Sequence, residues 1–226
     1  MALSKIQSTI IAALAQSPMR DRFYWTGGTL LAEKYLKHRH SYDVDLFTDA
    51  PFRYEEVLPL VQVVKKRVKL KRVEERKVSD RWEFFLHNHR EVRFEFVHYQ
   101  FPALKPRKKW QGVLIDSLED LAANKTMALI ERHAPKDAVD IYFLITKKGF
   151  TPKRLLALAE KKFGLQMHED TFLGEVLRAA KLLPEIRPML HGTARQQEAT
   201  LKEIQNYFKN ISADFLHKRL VELDSE

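Results

Sequence analysis

The hydrophobic and polar positions change their period part-way along the chain. Up to about residue 116, short β-rich runs alternate with polar positions, and we predict strands at 23–25, 44–47, 67–77, 81–86 and 92–99. Before them, Ile6, Ile10, Ala13 and Leu14 recur at the spacing of an amphipathic helix. The first half is therefore predicted as a mixed sheet with helices.

From residue 117 onwards the pattern is helical. Ser117 is a candidate N-cap for a helix that runs to about His133, and Pro135 opens the next one. Further helices are predicted from Thr151-Pro152 to Gly164, over 169–183 and over 196–222. The fold class is α+β: residues 1–116 form an α/β core, and residues 117–226 form a helical bundle that packs on it.

Composition narrows the classes of protein to which the chain can belong. Hydrophobic residues make up 45% and charged residues 31%, which is typical of a folded globular protein. The absence of cysteine excludes disulfides, thiolate metal sites and cysteine nucleophiles. No apolar run approaches the roughly 20 residues needed to cross a bilayer. We expect a cytoplasmic protein.

The net charge of +9 favours polyanionic partners such as nucleic acid or nucleotides. The run at 65–77 holds eight basic and two acidic residues and so accounts for six of the nine charges, and a smaller cluster spans 105–109. The alternative is a solvated strand face, because Val68 and Leu70 alternate with the basic positions.

A glycine pair follows the first short strand. Gly27 and Gly28 come directly before an amphipathic helical stretch, and Thr26 and Thr29 flank them with hydroxyl groups. Glycines allow a sharp turn and a close approach of the backbone to a ligand, and the free amides of a helix start favour an anion such as phosphate. Alone, this pattern also fits an ordinary turn from a strand to a helix.

Two aspartates share the strand SYDVDLF. Asp43 and Asp45 are two residues apart, so both carboxylates leave the same face while Val44 between them packs elsewhere. Side by side they repel each other unless a cation offsets their charge, and hard oxygen ligands suit Mg²⁺ or Mn²⁺. The alternative is a solvent-facing pair at the end of a strand.

A third acid is expected from a neighbouring strand. In EVRFEFVHY, alternation places Glu95 on the face opposite to the two phenylalanines, which makes it the first choice. Glu83 in RWEFFLH has the same kind of setting. Either glutamate could instead form a cross-strand ion pair with Arg93 or Arg81.

A lysine interrupts the apolar stripe of the helix after Ser117. Lys125 lies at helical spacing from the leucines of that stripe, and a buried lysine needs an anion. Candidates are a nucleotide phosphate or the carboxylates of Asp137 and Asp140, which lie three residues apart in the next helix. For Asp137 the alternative is a simple interaction with the helix dipole.

These segments together resemble the motifs of the AbiEii/AbiGii-type nucleotidyltransferase toxins, a family of the polymerase-β-like nucleotidyltransferase superfamily. The similarity covers about residues 20–147 and is carried by the blocks Gly27-Gly28-Thr29, Arg39-x-Ser41-x-Asp43-x-Asp45, Lys125 and Asp137-x-x-Asp140. It implies a nucleotidyltransferase-type mixed β-sheet flanked by helices. Many relatives carry a lysine before the two glycines, whereas this chain has Thr26, which leaves triphosphate affinity and substrate choice open.

The resemblance also implies a division of roles. The metal ligands are Asp43, Asp45 and, from the strand pattern, Glu95, which with Lys125 and Asp137 make up the catalytic set. Nucleotide binding falls to Thr26, Gly27, Gly28, Thr29, Arg39, Ser41, Lys125 and Asp140.

The implied activity is transfer of a nucleotide from a nucleoside triphosphate to an acceptor hydroxyl, with Mg²⁺ or Mn²⁺ as cofactor. We expect RNA, particularly tRNA, as the acceptor, with a protein or a small molecule as alternatives. The setting would be a toxin–antitoxin or abortive-infection system, with a cognate antitoxin protein as a further candidate partner. The rival interpretation is a catalytically inert module of the same fold that binds nucleic acid or a protein.

Overall fold

The structure is a computed structural model that describes residues 3–70, 72–87 and 91–223. It divides into two units, residues 1–121 and 122–226. The predicted domain boundary between residues 116 and 117 stays a prediction.

The first unit is built around a mixed sheet. Its helices are α1 (Lys5–Ala15), α2 (Gly27–Leu30) and α3 (Tyr54–Val68), with a 3₁₀ turn at Pro18–Asp21 and a π-helical segment, Leu31–Leu36, that continues α2. Its strands are β1 (Tyr24–Thr26), β2 (Val44–Thr48), β3 (Val73–Val78), β4 (Arg81–Leu86), β5 (Val92–His98), β6 (Lys108–Trp110) and β7 (Val113–Ile115). The strand order is β3-β4-β5-β2-β1-β7-β6, and β2–β5 and β1–β7 are the parallel pairs among the described strands.

One face of this sheet is apolar and forms the core. Trp25, Leu46 and Phe96 lie side by side across β1, β2 and β5 and are fully buried. Trp25 also stacks on Trp110 of β6, with ring centroids 5.5 Å apart. Because side chains alternate along each strand, burial of this face fixes which residues point from the opposite one.

The second unit is helical, as predicted. Its elements are α4 (Leu118–Arg132, whose first turn lies before the unit boundary), α5 (Pro135–Lys148), α6 (Pro152–Phe163), α7 (Glu169–Lys181), a 3₁₀ segment at Leu183–Met189 and α8 (Ala194–Leu223). Ser117 caps α4, since its hydroxyl accepts a hydrogen bond from the Asp120 N–H at 3.0 Å. The α+β class with a helical C-terminal region is confirmed.

The basic run predicted as a strand over 67–77 divides between two elements. α3 continues to Val68, and β3 begins only at Val73. The helix is capped by Lys69, whose φ of 57° is left-handed and whose N–H donates back to the last turn. Basic side chains in the last turn interact favourably with the helix dipole, so the charges that suggested a strand face stabilise a helix end. Lys71 lies outside the described residues.

The structure adds a hairpin that the pattern did not predict. β6 and β7 have three residues each, which is too short to show alternation. Both residues of the connecting turn, Gln111 and Gly112, have positive φ values, 52° and 81°, as in the type I′ turns that suit tight hairpins. The hairpin matters for function because β7 pairs with β1 and leads into Asp116.

Candidate active site

A row of polar side chains crosses the sheet on the face opposite to the aromatic core. Strand register places its members beside one another, one each from β1, β2, β5, β4 and β3. In that order they are Thr26, Asp45, Glu95, Glu83 and Arg76. The row follows from the same alternation that places Leu46 and Phe96 on the core face.

The two predicted metal-binding aspartates lie where β2 begins. The Asp43 side chain, just before the strand, is 37% exposed, and that of Asp45, within the strand, is 13% exposed. Both contact the same nitrogen of Arg93: Nη2 lies 3.2 Å from Asp43 Oδ2 and 3.7 Å from Asp45 Oδ1. The two carboxylates therefore lie on one side of the strand, as their spacing predicts.

Gly27 lies directly against the Asp45 carboxylate. Its φ is 78°, and a Cβ built on it would lie 1.7 Å from Asp45 Oδ2, well inside the 3.0 Å that real Cβ atoms essentially never breach. α2 begins at this residue, and Gly28 continues its first turn. The glycine predicted from sequence thus has a specific cause, which is the close approach of the turn to the aspartate.

Thr29, Arg39 and Ser41 stabilise the loop that carries Asp43. The Thr29 hydroxyl donates to the backbone carbonyl of Asp43 and lies 2.9 Å from the Ser41 hydroxyl oxygen. Arg39 is buried, and its Nη1 donates to the carbonyl of His40 at 2.9 Å. The expected contacts of these three side chains with phosphate stay predictions.

Thr26 is bonded to a carboxylate that the sequence analysis missed. Its hydroxyl donates to Asp116 Oδ2 at 2.6 Å, and Nε of Arg107 lies 3.3 Å from the other oxygen. Asp116 is buried and follows β7. The available signal was the short apolar run Val113–Ile115 that ends at this acid. Contact of Thr26 with a nucleotide stays a prediction.

Glu83 and Glu95 are neighbours in the row but differ in their partners. Glu83 accepts two hydrogen bonds from Arg76, at 2.6 and 2.8 Å, and one from Arg93 at 3.1 Å. Glu95 Oε2 is buried and accepts no hydrogen bond from the described residues, although Arg93 lies 3.4 Å and Arg81 3.7 Å away. Glu95, the first choice from sequence, is thus the one of these two acids with an oxygen that could still coordinate a cation.

The pKa values follow these partners. Burial would raise the pKa of Glu83, but the hydrogen bonds and charges of Arg76 and Arg93 outweigh it and lower the pKa below its usual range. Burial and then the charge of Asp45 raise the pKa of Glu95 well above its usual range, despite Arg93 and Arg81. Of these two carboxylates, Glu95 is therefore the one whose ionised form an added cation would stabilise more.

The carboxylates have the chemistry of the expected magnesium site but do not surround a common position for the ion. Among the described residues, no three acidic or histidine side chains are grouped as they stand so as to hold a metal ion. The Arg93 guanidinium lies between them instead. Their chemistry fits nonetheless, because Asp43, Asp45 and Glu95 offer hard oxygen ligands and Glu95 Oε2 is a buried acceptor without a hydrogen bond from the described part of the chain.

The predicted lysine of the helical unit is buried between two carboxylates. Lys125 Nζ lies 2.8 Å from Asp137 Oδ1 and 2.8 Å from Asp140 Oδ2. Arg132 also donates to Asp137, from Nε at 2.7 Å. Burial would raise the pKa of Asp137, but Lys125 and Arg132 outweigh it and lower the pKa. The predicted pairing of Lys125 with the acids of α5 is confirmed, and its catalytic role stays a prediction.

A pocket opens beside the loop before β2. Its volume is about 170 Å³, and Thr29, Glu33, His40 and Ser41 are among its lining residues. Small-molecule sites usually measure roughly 300–1,000 Å³, so this pocket by itself is too small for a whole nucleoside triphosphate. The open carboxylate row remains the candidate site.

Comparison with protein families decides the classification. The family model of the nucleotidyl transferase AbiEii toxins, of type IV toxin–antitoxin systems, matches residues 9–219. The chain belongs to the AbiEii family. The resemblance seen in the motifs is thereby confirmed, and the chain is classed with the nucleotidyltransferase toxins of type IV toxin–antitoxin systems.

Individual proteins also resemble this AbiEii chain. The uncharacterised protein aq_aa25 of Aquifex aeolicus is 31% identical over 165 residues, which are 71% of this chain and 76% of the relative. JHP933 from Helicobacter pylori has 14% identity and a TM-score of 0.59, covering 98% of this chain and 100% of its own. The nucleotidyltransferase toxin MenT4 from Mycobacterium tuberculosis has 14% identity and a TM-score of 0.51, covering 92% and 83%. The likeness to MenT4 confirms the nucleotidyltransferase-type fold.

None of the helices in the described part of this AbiEii chain combines the length and the apolarity that crossing a membrane requires.

Proposed function

We propose that the chain transfers a nucleotide from a nucleoside triphosphate to an acceptor hydroxyl, with Mg²⁺ or Mn²⁺ held by Asp43, Asp45 and Glu95. The observation that carries this proposal is the convergence of the three carboxylates on one polar face, with Asp45 against the glycine that begins α2. A cytoplasmic location, where nucleoside triphosphates are available, belongs to the same proposal.

The bound ions would supply charge neutralisation for the triphosphate and lower the pKa of the attacking hydroxyl. Residues of this chain would bind the phosphates, hold the loop of Asp43 and remove the proton. Backbone groups of the turn Gly27-Gly28-Thr29 would bind phosphate oxygens, and the side chains of Thr29, Arg39 and Ser41 would keep the loop of Asp43 in place. Glu95 would hold the ion nearer the attacking hydroxyl and help to remove the proton of that hydroxyl.

In the helical unit, Lys125, Asp137 and Asp140 keep the catalytic and nucleotide-binding roles that the family motifs imply. Their geometry is compatible with such roles, because a lysine held by two buried carboxylates stays charged and fixed in position.

Metal and nucleotide binding test the carboxylate assignment. In calorimetric titrations, wild-type protein should bind nucleoside triphosphate only with Mg²⁺ or Mn²⁺, and the Asp43→Ala/Asp45→Ala double variant should lose that binding. Asp214→Ala removes an exposed carboxylate of α8 and serves as the matched control. Equal metal-dependent binding by the wild type and the double variant would refute the assignment.

We propose RNA, particularly tRNA, as the acceptor and an antitoxin protein as the partner. The basic residues at the end of α3 and around β6 support an RNA backbone as ligand. The test is to incubate the protein with Mg²⁺, each labelled nucleoside triphosphate in turn, and total RNA or total protein from a cell extract. Label in RNA supports the proposal, whereas label in protein replaces RNA as the acceptor.

One observation favours the inert alternative. Arg93 contacts all four carboxylates of the site, which is also the arrangement of a structural ion cluster. No transfer of label to any acceptor, together with no metal-dependent nucleotide binding, would favour a binding module over an enzyme.

A further inference from the structure

Arg93 is the cation at the centre of the acidic row. Its Nη2 lies 3.2 Å from Asp43 and 3.7 Å from Asp45, and its Nη1 lies 3.1 Å from Glu83 and 3.4 Å from Glu95. The guanidinium thus has one nitrogen toward the two aspartates and the other toward the two glutamates. It occupies the position among the carboxylates that an added cation would also favour.

The contacts of Arg93 are unequal in kind. Glu83 is buried and already holds Arg76 through two short hydrogen bonds, so its second oxygen is a fixed acceptor for Nη1. The contacts of Arg93 with Asp45 and Glu95 are longer than these hydrogen bonds, at 3.7 and 3.4 Å. Arg93 also donates a hydrogen bond to Asp43, at 3.2 Å, so it joins a buried acceptor, Glu83, to a more exposed one, Asp43.

Two further features allow the guanidinium to move. The Arg93 side chain is 27% exposed, so it is not enclosed by packing. Asp43, its partner on the open side, is itself 37% exposed. An arginine bonded to one buried acid and to one exposed acid can exchange the exposed partner and keep the buried one.

We propose that Arg93 is an exchangeable internal cation: it neutralises Asp43, Asp45 and Glu95 in the metal-free protein, and a divalent ion displaces it toward Glu83. This inference rests on the proposed function, because it requires that these three carboxylates bind metal. Arg93 is in this sense a positioning residue, which keeps the ligands together until the ion arrives, and Glu83 is its acceptor rather than a metal ligand.

The test compares Mn²⁺ binding by wild-type protein, Arg93→Gln and Arg93→Lys, from the loss of the free-ion electron paramagnetic resonance signal. Arg93→Gln removes the competing charge and should bind Mn²⁺ about tenfold or more tightly than the wild type. Arg93→Lys keeps the charge without the fork of two nitrogens. Its Mn²⁺ affinity should therefore lie between those of the wild type and Arg93→Gln. Arg72→Gln is the control, because Arg72 is exposed and forms its ion pair with Glu74, which is not a member of the acidic row.

Thermal unfolding gives a second readout that does not depend on activity. Without metal, Arg93→Gln should unfold at a lower temperature than the wild type, and Mn²⁺ should raise its unfolding temperature by more than it raises that of the wild type. If Arg93→Gln does not fold without metal, the unfolding temperatures of Arg93→Lys with and without Mn²⁺ are compared with those of the wild type instead.

The outcomes separate the two proposals. If the wild type binds Mn²⁺ through Asp43 and Asp45 but the Arg93 variants bind it no more tightly, Arg93 is a structural member of the cluster and the exchange is refuted. If the wild type binds no Mn²⁺ at all, the proposed function fails and the exchange fails with it.

Discussion

The carboxylate of Asp45 occupies the position that a Cβ on Gly27 would need, 1.7 Å from Oδ2. The positive φ of the glycine and the direction of the aspartate are thus fixed by one contact between β2 and the start of α2. A side chain added at Gly27 must displace Asp45.

Gly27→Ala should therefore damage both stability and metal binding. The left-handed backbone alone costs roughly 1–2 kcal/mol for a residue with a Cβ, and the clash must in addition displace Asp45. Urea denaturation and Mn²⁺ titration measure the two effects. Gly149→Ala is the matched control, since its φ is 68° and nothing lies within 4 Å of its added Cβ. Metal binding by Gly27→Ala at the wild-type affinity would contradict the expectation.

Lys125→Met should be strongly destabilising. The change leaves the carboxylates of Asp137 and Asp140 buried without their shared lysine, and breaking a buried pair in this way costs about 3–5 kcal/mol. Urea unfolding followed by far-ultraviolet circular dichroism measures the loss. Lys161→Met removes an exposed lysine of α6 and should stay within about 0.5 kcal/mol of the wild type. A loss as small as that of the control would show that Lys125 is not needed to neutralise the two acids.

Acid should remove the contribution of Asp137. Its pKa is lowered in the folded protein, so its stabilisation is fully present above the ordinary value of 3.8 and is lost as the pH falls through the lowered pKa. Asp137→Asn should therefore be less stable than the wild type at neutral pH, and the gap in unfolding free energy should narrow as the pH falls below about 4. Asp214→Asn, at an exposed position, should show no such gap. A gap that is constant with pH would show that the charge of Asp137 does not stabilise the fold.

Charge reversal at the end of α3 should weaken RNA binding. Lys66 and Lys69 are exposed there, and each lost phosphate contact should lower the slope of log affinity against log salt by roughly 0.7. Lys66→Glu/Lys69→Glu should lower the affinity for RNAs of any sequence and leave Mg²⁺-dependent nucleotide binding intact, as filter binding over a salt series would show. Lys218→Glu, in α8, is the control. Unchanged affinity and slope would remove this surface from the interface.

Local patterns were enough to predict the carboxylate faces. Alternation in SYDVDLF and EVRFEFVHY places Asp45 and Glu95 on the polar side, and the interruption of an apolar stripe identifies Lys125. These inferences succeeded because each depends on the period of one element. The glycine turn before α2 was predictable for the same reason.

The partners that modify the site were not predictable in the same way. Arg93 was foreseen only as an ion-pair partner of one glutamate, because its contact with all four acids depends on the parallel register of β2 and β5, which are far apart in sequence. Asp116 was missed because β7 has only three residues. The strand predicted over 67–77 begins only at Val73, because a left-handed residue at Lys69 ends a helix inside the run.

The stacked pair of Trp25 and Trp110 also has a practical use. These two residues and Trp82 are the three tryptophans of the chain, and all lie within residues 1–121. Intrinsic indole fluorescence therefore reports on the sheet unit alone. Trp25 lies next to Thr26, so its emission reports on the strand that carries the first residue of the polar row. Denaturation followed by this emission and by circular dichroism compares the two units without any label, because coincident curves indicate one cooperative transition and separated curves indicate two.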